Sequence, residues 1–215
     1  MQQTKRPYFL VIDGIDGSGK STQCKLLSNY LSTKKVDFIL TKEPGGTEVG
    51  NILRNILISS EYNIEPETEL LLYSADRLEH QKKVIEPALE NNKIIICDRF
   101  ISSTYAYQVF GRGLNIDTLK LLEKLTVFYW PNLTILIDIP IKIALERAIK
   151  RLKEYEKIDS EGKFEKEGLN FYKKVRDGFI WYSKNYKNVI ILDGNKDIES
   201  LSKEIISLVK KELCL

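Results

Sequence analysis

Hydrophobic residues along this chain gather into five short runs rich in β-branched side chains, at residues 8–12, 36–40, 93–97, 133–137 and 188–192. These runs lack the polar alternation of a half-solvated strand, and helical patterns fill the intervals between them. Buried strands separated by helices predict an α/β fold, a five-stranded parallel sheet with helices on both faces. The last helix shows the period well, with Ile198, Leu201, Ile205, Leu208 and Val209 falling on one face. Residues 150–166 break the pattern, being almost all charged and polar. Taken alone, such a stretch is a solvated helix with a loop. No internal repeat or low-complexity linker interrupts the rest.

Composition narrows the class. The 215 residues suit one α/β domain with room for a mobile insert, and 43% hydrophobic with 29% charged residues is enough to build a core. A net charge of +3 is too small to imply wholesale nucleic-acid binding, so no nucleic-acid partner is expected and any positive field must be local. Cys24, Cys97 and Cys214 are odd in number and scattered, without metal-ligand or disulfide spacing. Cys97 reads as a small core residue, and a reducing cytosol is the expected setting. Residues 1–7 are polar, with no apolar signal region, and no run reaches membrane-spanning length, so no membrane partner is expected.

The first apolar run leads into Gly14-Ile15-Asp16-Gly17-Ser18-Gly19-Lys20-Ser21, which fits G-x-x-x-x-G-K-[ST], and a helix-compatible run from Thr22 to Leu31 follows. A strand behind and a helix ahead are the context a phosphate loop needs. Gly14, Gly17 and Gly19 let backbone N–H groups turn inward around a phosphate, at the positive end of the helix. Lys20 is then placed to reach the outer phosphates of a nucleoside triphosphate, and Ser21 to ligate Mg²⁺.

Asp98-Arg99 follows the third run directly. An acid at the C-terminal end of a buried strand, in a chain with a phosphate loop, is where a second Mg²⁺-organising group belongs, and Arg99 offers a forked cation for phosphates. Lys42-Glu43-Pro44-Gly45-Gly46-Thr47 closes the second run and puts a cation on the same sheet edge, with Arg54 placed to point back from the next helix. By itself Pro-Gly-Gly is also an ordinary loop. Tyr73 and Arg77 stand four apart in a helical stretch, a pair suited to stacking on a base and bonding it, although by itself such a pair is more often surface packing. His80, the only histidine, reads as structural.

Four segments together resemble the thymidylate kinase family: residues 9–23 (FLVIDGIDGSGKSTQ), 42–47 (KEPGGT), 71–77 (LLYSADR) and 98–108 (DRFISSTYAYQ). Their order and spacing agree with that family from about residue 8 to 210. The resemblance implies a P-loop nucleoside monophosphate kinase, one domain with a mobile lid near 150–166, that uses ATP and Mg²⁺ to convert dTMP to dTDP. It also implies a cytoplasmic homodimer. Residue by residue it implies ATP on Gly14, Asp16, Gly17, Ser18, Gly19, Lys20, Ser21, Thr22 and Arg147, and Mg²⁺ on Ser21 and Asp98. It implies Asp16 on the deoxyribose 3′-OH, Tyr73 stacked on thymine, and Arg77, Thr104 and Gln108 on the base edge. Arg99, Lys42 and Arg54 are implied for the dTMP phosphate. Where the family usually has Phe and Arg, this chain has Tyr73 and Lys42.

Some members of that family carry an arginine in the phosphate loop, where this chain has Gly17. The missing cation is therefore expected from the lid, from Arg147, Arg151, Lys153 or Lys163, with Arg151 the first choice. Two rivals remain. A deoxynucleoside kinase would need a general base and no second phosphate site. A GTPase-like switch would need Asn-Lys-x-Asp, and Asn195-Lys196-Asp197 is one residue short, so it reads as a turn and helix cap.

Overall fold

The computed structural model describes residues 7–154, 163–164 and 167–214. Much of the expected lid, 155–162 and 165–166, thus lies outside the described residues.

All five expected strands form, within one or two residues at each end: β1 (Tyr8–Gly14), β2 (Phe38–Lys42), β3 (Ile94–Asp98), β4 (Leu133–Asp138) and β5 (Val189–Asp193). They make one parallel sheet in the order β2-β3-β1-β4-β5. The chain leaves β1 towards one edge and later returns to its other side. The loop after β1 therefore sits at the switch point, where a parallel sheet opens a crevice beyond its strand ends. The register fixes what surrounds it: Ile12 pairs with Asp98, and Asp98 with Lys42, so three strands end abreast at the mouth of that loop.

Helices cover both faces. On one, α1 (Lys20–Thr33) and the C-terminal α9 (Ile198–Leu213) pack through Leu27, Leu31, Leu201 and Ile205 against Leu10, Ile12 and Ile96. The expected face of α9 holds except at its first residue. Ile198 is 60% exposed, because it stands beside the Asp197 cap before the helix has turned onto the sheet. The cap reading of Asp197 is borne out, since its side chain accepts from Ser200 N at 2.9 Å.

On the other face lie α2 (Glu48–Ile58), α3 (Pro66–His80), α4 (Glu86–Glu90), α5 (Ile101–Thr104) and α6 (Ile116–Thr126). Between β4 and β5 run α7 (Ile141–Glu154) and α8 (Gly168–Asn185). Two stretches, Gln81–Ile85 and Tyr105–Gly111, widen into π-helical turns. Such turns alter which side chains share a face and recur at functional sites. Here the second carries Tyr107 and Gln108.

Candidate active site

Local sequence explains the phosphate end. The loop after β1 turns through Gly17 (φ 79°) and Gly19 (φ 95°), a left-handed backbone that glycine adopts without Cβ strain. Gly19 caps α1 with no side-chain bond, and the first turn of α1 holds no acid, so its N–H groups are left for an anion. A Cβ at Gly17 would run into the backbone carbonyl of Ala144. Helix α7 thus packs against the loop at the very position where a side chain is missing.

A cavity of about 670 Å³ opens over this loop, walled by Lys20, Ser21, Lys42, Asp98, Arg99 and Arg151 among others. Lys20 is buried, its Nζ donating to Ile15 O at 2.8 Å. Burial, helped by Arg99, pushes its pKa down to about 8, while Asp16, Asp98 and Asp13 act the other way. Ser21 Oγ donates to Asp98 Oδ2 at 2.5 Å, and Asp98 Oδ1 is buried with no hydrogen-bond partner among the described residues. A hydroxyl and an ionisable carboxylate side by side at a phosphate loop fit Mg²⁺, which takes one or two protein oxygens and completes its shell with phosphate and water.

Arg99 links this cavity to a second one. It adopts φ 73°, unusual for a residue with a side chain and common where structure is held for function. Its guanidinium pairs with Asp16 and donates to Ser103 Oγ at 3.0 Å. Asp13, fully buried, stands 3.6 Å away and accepts from Ser102 and Ser103. Burial alone would raise the Asp16 pKa, but Arg99, Lys20 and the Tyr107 hydroxyl outweigh it and hold the carboxyl well below the usual carboxylate range.

The second cavity, about 90 Å³, shares Asp16, Glu43, Arg54 and Arg99 with the first. Tyr73, Arg77, Thr104 and Gln108 converge on it, as the sequence predicts. Arg77 is fixed from both sides, Nε donating to Glu43 Oε2 and Nη2 to Thr104 Oγ1, each at 2.9 Å. Its Nη1 is buried and has no hydrogen-bond partner among the described residues, a donor left at the cavity wall. Arg54 donates to Pro44 O at 3.1 Å and lines both cavities, so it does point back from α2.

Not every expected residue arrives. Arg147 is exposed on α7 and lines neither cavity, whereas Arg151, one turn later, lines the larger one. Thr22 is exposed in the first turn of α1 and Lys153 on α7, and neither lines a cavity. Lys163 pairs with Glu69 Oε2 at 2.7 Å and does not line the phosphate cavity. His80 is structural, as expected. It is buried between Glu43 Oε1 (2.9 Å) and Thr41 Oγ1 (2.7 Å) and lines neither cavity.

Sequence reasoning missed Tyr107, whose hydroxyl donates to Asp16 Oδ2 at 2.7 Å and accepts from Asp16 N at 3.1 Å. It also missed Glu43, which holds Arg77 and His80 together. The one available signal was the Glu inside KEPGGT, an acid with no solvent-side reason to be there.

A family model for thymidylate kinase matches residues 12–205. A thymidylate kinase of Maridesulfovibrio salexigens is 40% identical over 208 residues, 95% of this chain and 96% of that one. One of Kosmotoga olearia is 38% identical over 200 residues, 92% and 93% of the two chains. Among solved structures, a thymidylate kinase from Ehrlichia chaffeensis superposes with a TM-score of 0.75 at 33% identity, covering 95% of this chain and 99% of that one.

Proposed function

The chain belongs to the thymidylate kinase family, and on that premise we propose that its two joined cavities hold ATP and dTMP end to end. The activity is phosphoryl transfer from ATP to dTMP, giving dTDP. One observation carries the assignment of the two ends: the phosphate-loop cavity and the Arg77 cavity share the wall formed by Asp16, Arg54 and Arg99. Cations at the junction of two pockets suit an acceptor that is itself a phosphate.

In this reading the loop N–H groups and the α1 terminus cradle the ATP phosphates, with Lys20 on the outermost. Ser21 and Asp98 hold Mg²⁺, which when bound neutralises charge on the phosphate oxygens. Arg99, aimed by Asp16, Asp13 and Ser103, grips the acceptor phosphate beside Arg54 and Lys42. Asp16, already ionised and held by Tyr107, accepts from the sugar 3′-hydroxyl. Tyr73 covers the base, Arg77 Nη1 donates to its edge, and Thr104 and Gln108 meet the remaining edge. Arg151 faces the transferring group and supplies the charge that Gly17 cannot. Transfer of this kind is catalysed by positioning and electrostatics and asks for no covalent step from the protein.

We propose further that the domain is a single unit spanning 1–215, closed by a lid near 150–166, and that it forms a homodimer. Leu71 and Leu78 on α3, Leu121 and Leu125 on α6, and Val49 and Ile52 on α2 are exposed on helices that pack together, and support such a face. Among the described residues no disulfide joins Cys24, Cys97 and Cys214, which suits the cytoplasm. Among the described residues no helix is long and apolar enough to cross a membrane, and no nucleic-acid partner is proposed. The test is steady-state kinetics with dTMP, dUMP, dCMP and thymidine. We expect dTMP to be the best acceptor and thymidine to be inert. Phosphorylation of thymidine with dTMP acting only as an inhibitor would overturn the acceptor assignment.

A further inference from the structure

Glu69 is 0% exposed in the first turn of α3, one turn before Tyr73. Three residues from other segments converge on it. Gln108 Nε2 donates at 2.9 Å from the π-helical turn, Arg112 donates through Nε and Nη2 at 3.3 Å, and Lys163 Nζ stands 2.7 Å away. Burial would raise the pKa of Glu69, but Lys163 and Arg112, with the Gln108 amide, outweigh it and lower the pKa instead.

An ionised carboxylate can only accept, so a group lying against it must donate. For Gln108 this settles the carboxamide. The NH₂ faces Glu69, and the carbonyl oxygen is the end left for the base cavity that Gln108 lines. Arg77 Nη1 offers that same cavity a donor. A donor beside an acceptor complements a pyrimidine with a carbonyl next to a ring N–H, as in thymine and uracil. It opposes cytosine, which offers an amine beside a bare ring nitrogen. Lys163, held by the same carboxylate, is followed by Phe164, which also walls this cavity.

We infer that Glu69 is a positioning residue for base choice, fixing which end of Gln108 meets the base and so favouring a 4-oxo over a 4-amino pyrimidine monophosphate. The inference rests on the base-pocket reading above and adds to it a residue that never touches the nucleotide. It differs from a merely structural role, in which Glu69 only ties down the stem near Lys163 and all substrates would suffer alike.

The experiment measures kcat/KM for dTMP and dCMP in Glu69→Gln, Gln108→Ala and the double variant, with KM for ATP alongside. A glutamine at 69 can donate or accept, so it no longer dictates the Gln108 amide. The dTMP/dCMP ratio should fall about ten-fold in Glu69→Gln with KM for ATP unchanged. In the Gln108→Ala background Glu69→Gln should change the ratio no further. Equal loss for both nucleotides, or independent addition of the two effects, would overturn the inference. A Gln108→Ala enzyme that keeps the parental ratio would instead overturn the base-pocket reading, and this inference with it. Because Glu69→Gln takes the carboxylate from the half-buried Lys163 and one of two from Arg112, Glu69→Gln with Lys163→Met gives the same readout with one fewer cation left short of a partner, and must show the same narrowed ratio.

Discussion

At the phosphate end of the site, one unbroken stretch from Gly14 to Ser21 shapes the binding surface out of its own backbone, with left-handed glycines turning the loop and α1 lending its N-terminus. At the base end, residues from three separate stretches, Glu43 after β2, Glu69 and Arg77 on α3, and Thr104 and Gln108 on α5 and the π-helical turn, hold one another through buried ion pairs and hydrogen bonds. The first end is specified locally, and a side-chain change there removes chemistry while leaving shape. The second is specified by mutual support, so a change there disturbs chemistry and stability together.

The sharpest attempt to break that contrast is Lys20→Ala. It should lower kcat on the order of 10³-fold or more, since in the proposed arrangement Lys20 meets charge that migrates in transfer, with a far smaller change in KM for ATP and a fold intact by circular dichroism. A variant that melts early instead of losing kcat would put the phosphate end in the mutually supported class. Next comes Arg151→Ala, expected to lose about 10²- to 10³-fold in kcat, against a few-fold for Arg147→Ala one turn earlier. Equal kcat values for the two variants would remove Arg151 from the transfer step.

At the base end, Arg77→Ala should weaken dTMP about 10- to 100-fold while sparing ATP. It should also destabilise the fold by about 3–5 kcal/mol in urea titration, because the buried Glu43 loses its guanidinium partner and keeps only the His80 ring. Loss of affinity without loss of stability would show that the two are separable after all.

The seam between the ends supplies a pH test. Asp76 accepts from Gly45 N at 3.0 Å, and burial, reinforced by Glu43, pushes its pKa up to about 7 from an ordinary 3.8. Between those values the folded protein holds a proton that the unfolded chain has released. Stability therefore falls as pH rises from about 4 to 7 and stays lower above that. Asp76→Asn should remove this slope, worth roughly 2–4 kcal/mol at pH 8, and a slope unchanged in the variant would sink the assignment. The smallest effect belongs to Tyr73→Phe, which keeps the ring and should change kcat/KM for dTMP by less than about two-fold. A ten-fold loss would mean that the Tyr73 hydroxyl, not the ring alone, meets the nucleotide.

The amino-acid sequence by itself determined the sheet, the phosphate loop and most of the candidate residues that line the two cavities. Those features are written in short-range terms: β-branched runs with helical spacers, glycines where φ must be positive, a Lys-Ser pair at a helix start. Even Asp98 and Lys42 were legible, because a parallel register brings strand ends abreast. Only the tertiary structure decided the rest. The phase of α7 brought Arg151 and not Arg147 to the cavity, and a π-helical turn set Tyr107 against Asp16 and Gln108 against Glu69. Glu43 became the pivot between Arg77 and His80 because β2 ends beside α3. None of these depends on a residue's neighbours in the chain. Each depends on which buried charge finds its partner when distant helices close on the sheet, and that is settled by long-range packing in a low-dielectric interior, where an unpaired charge is not tolerated.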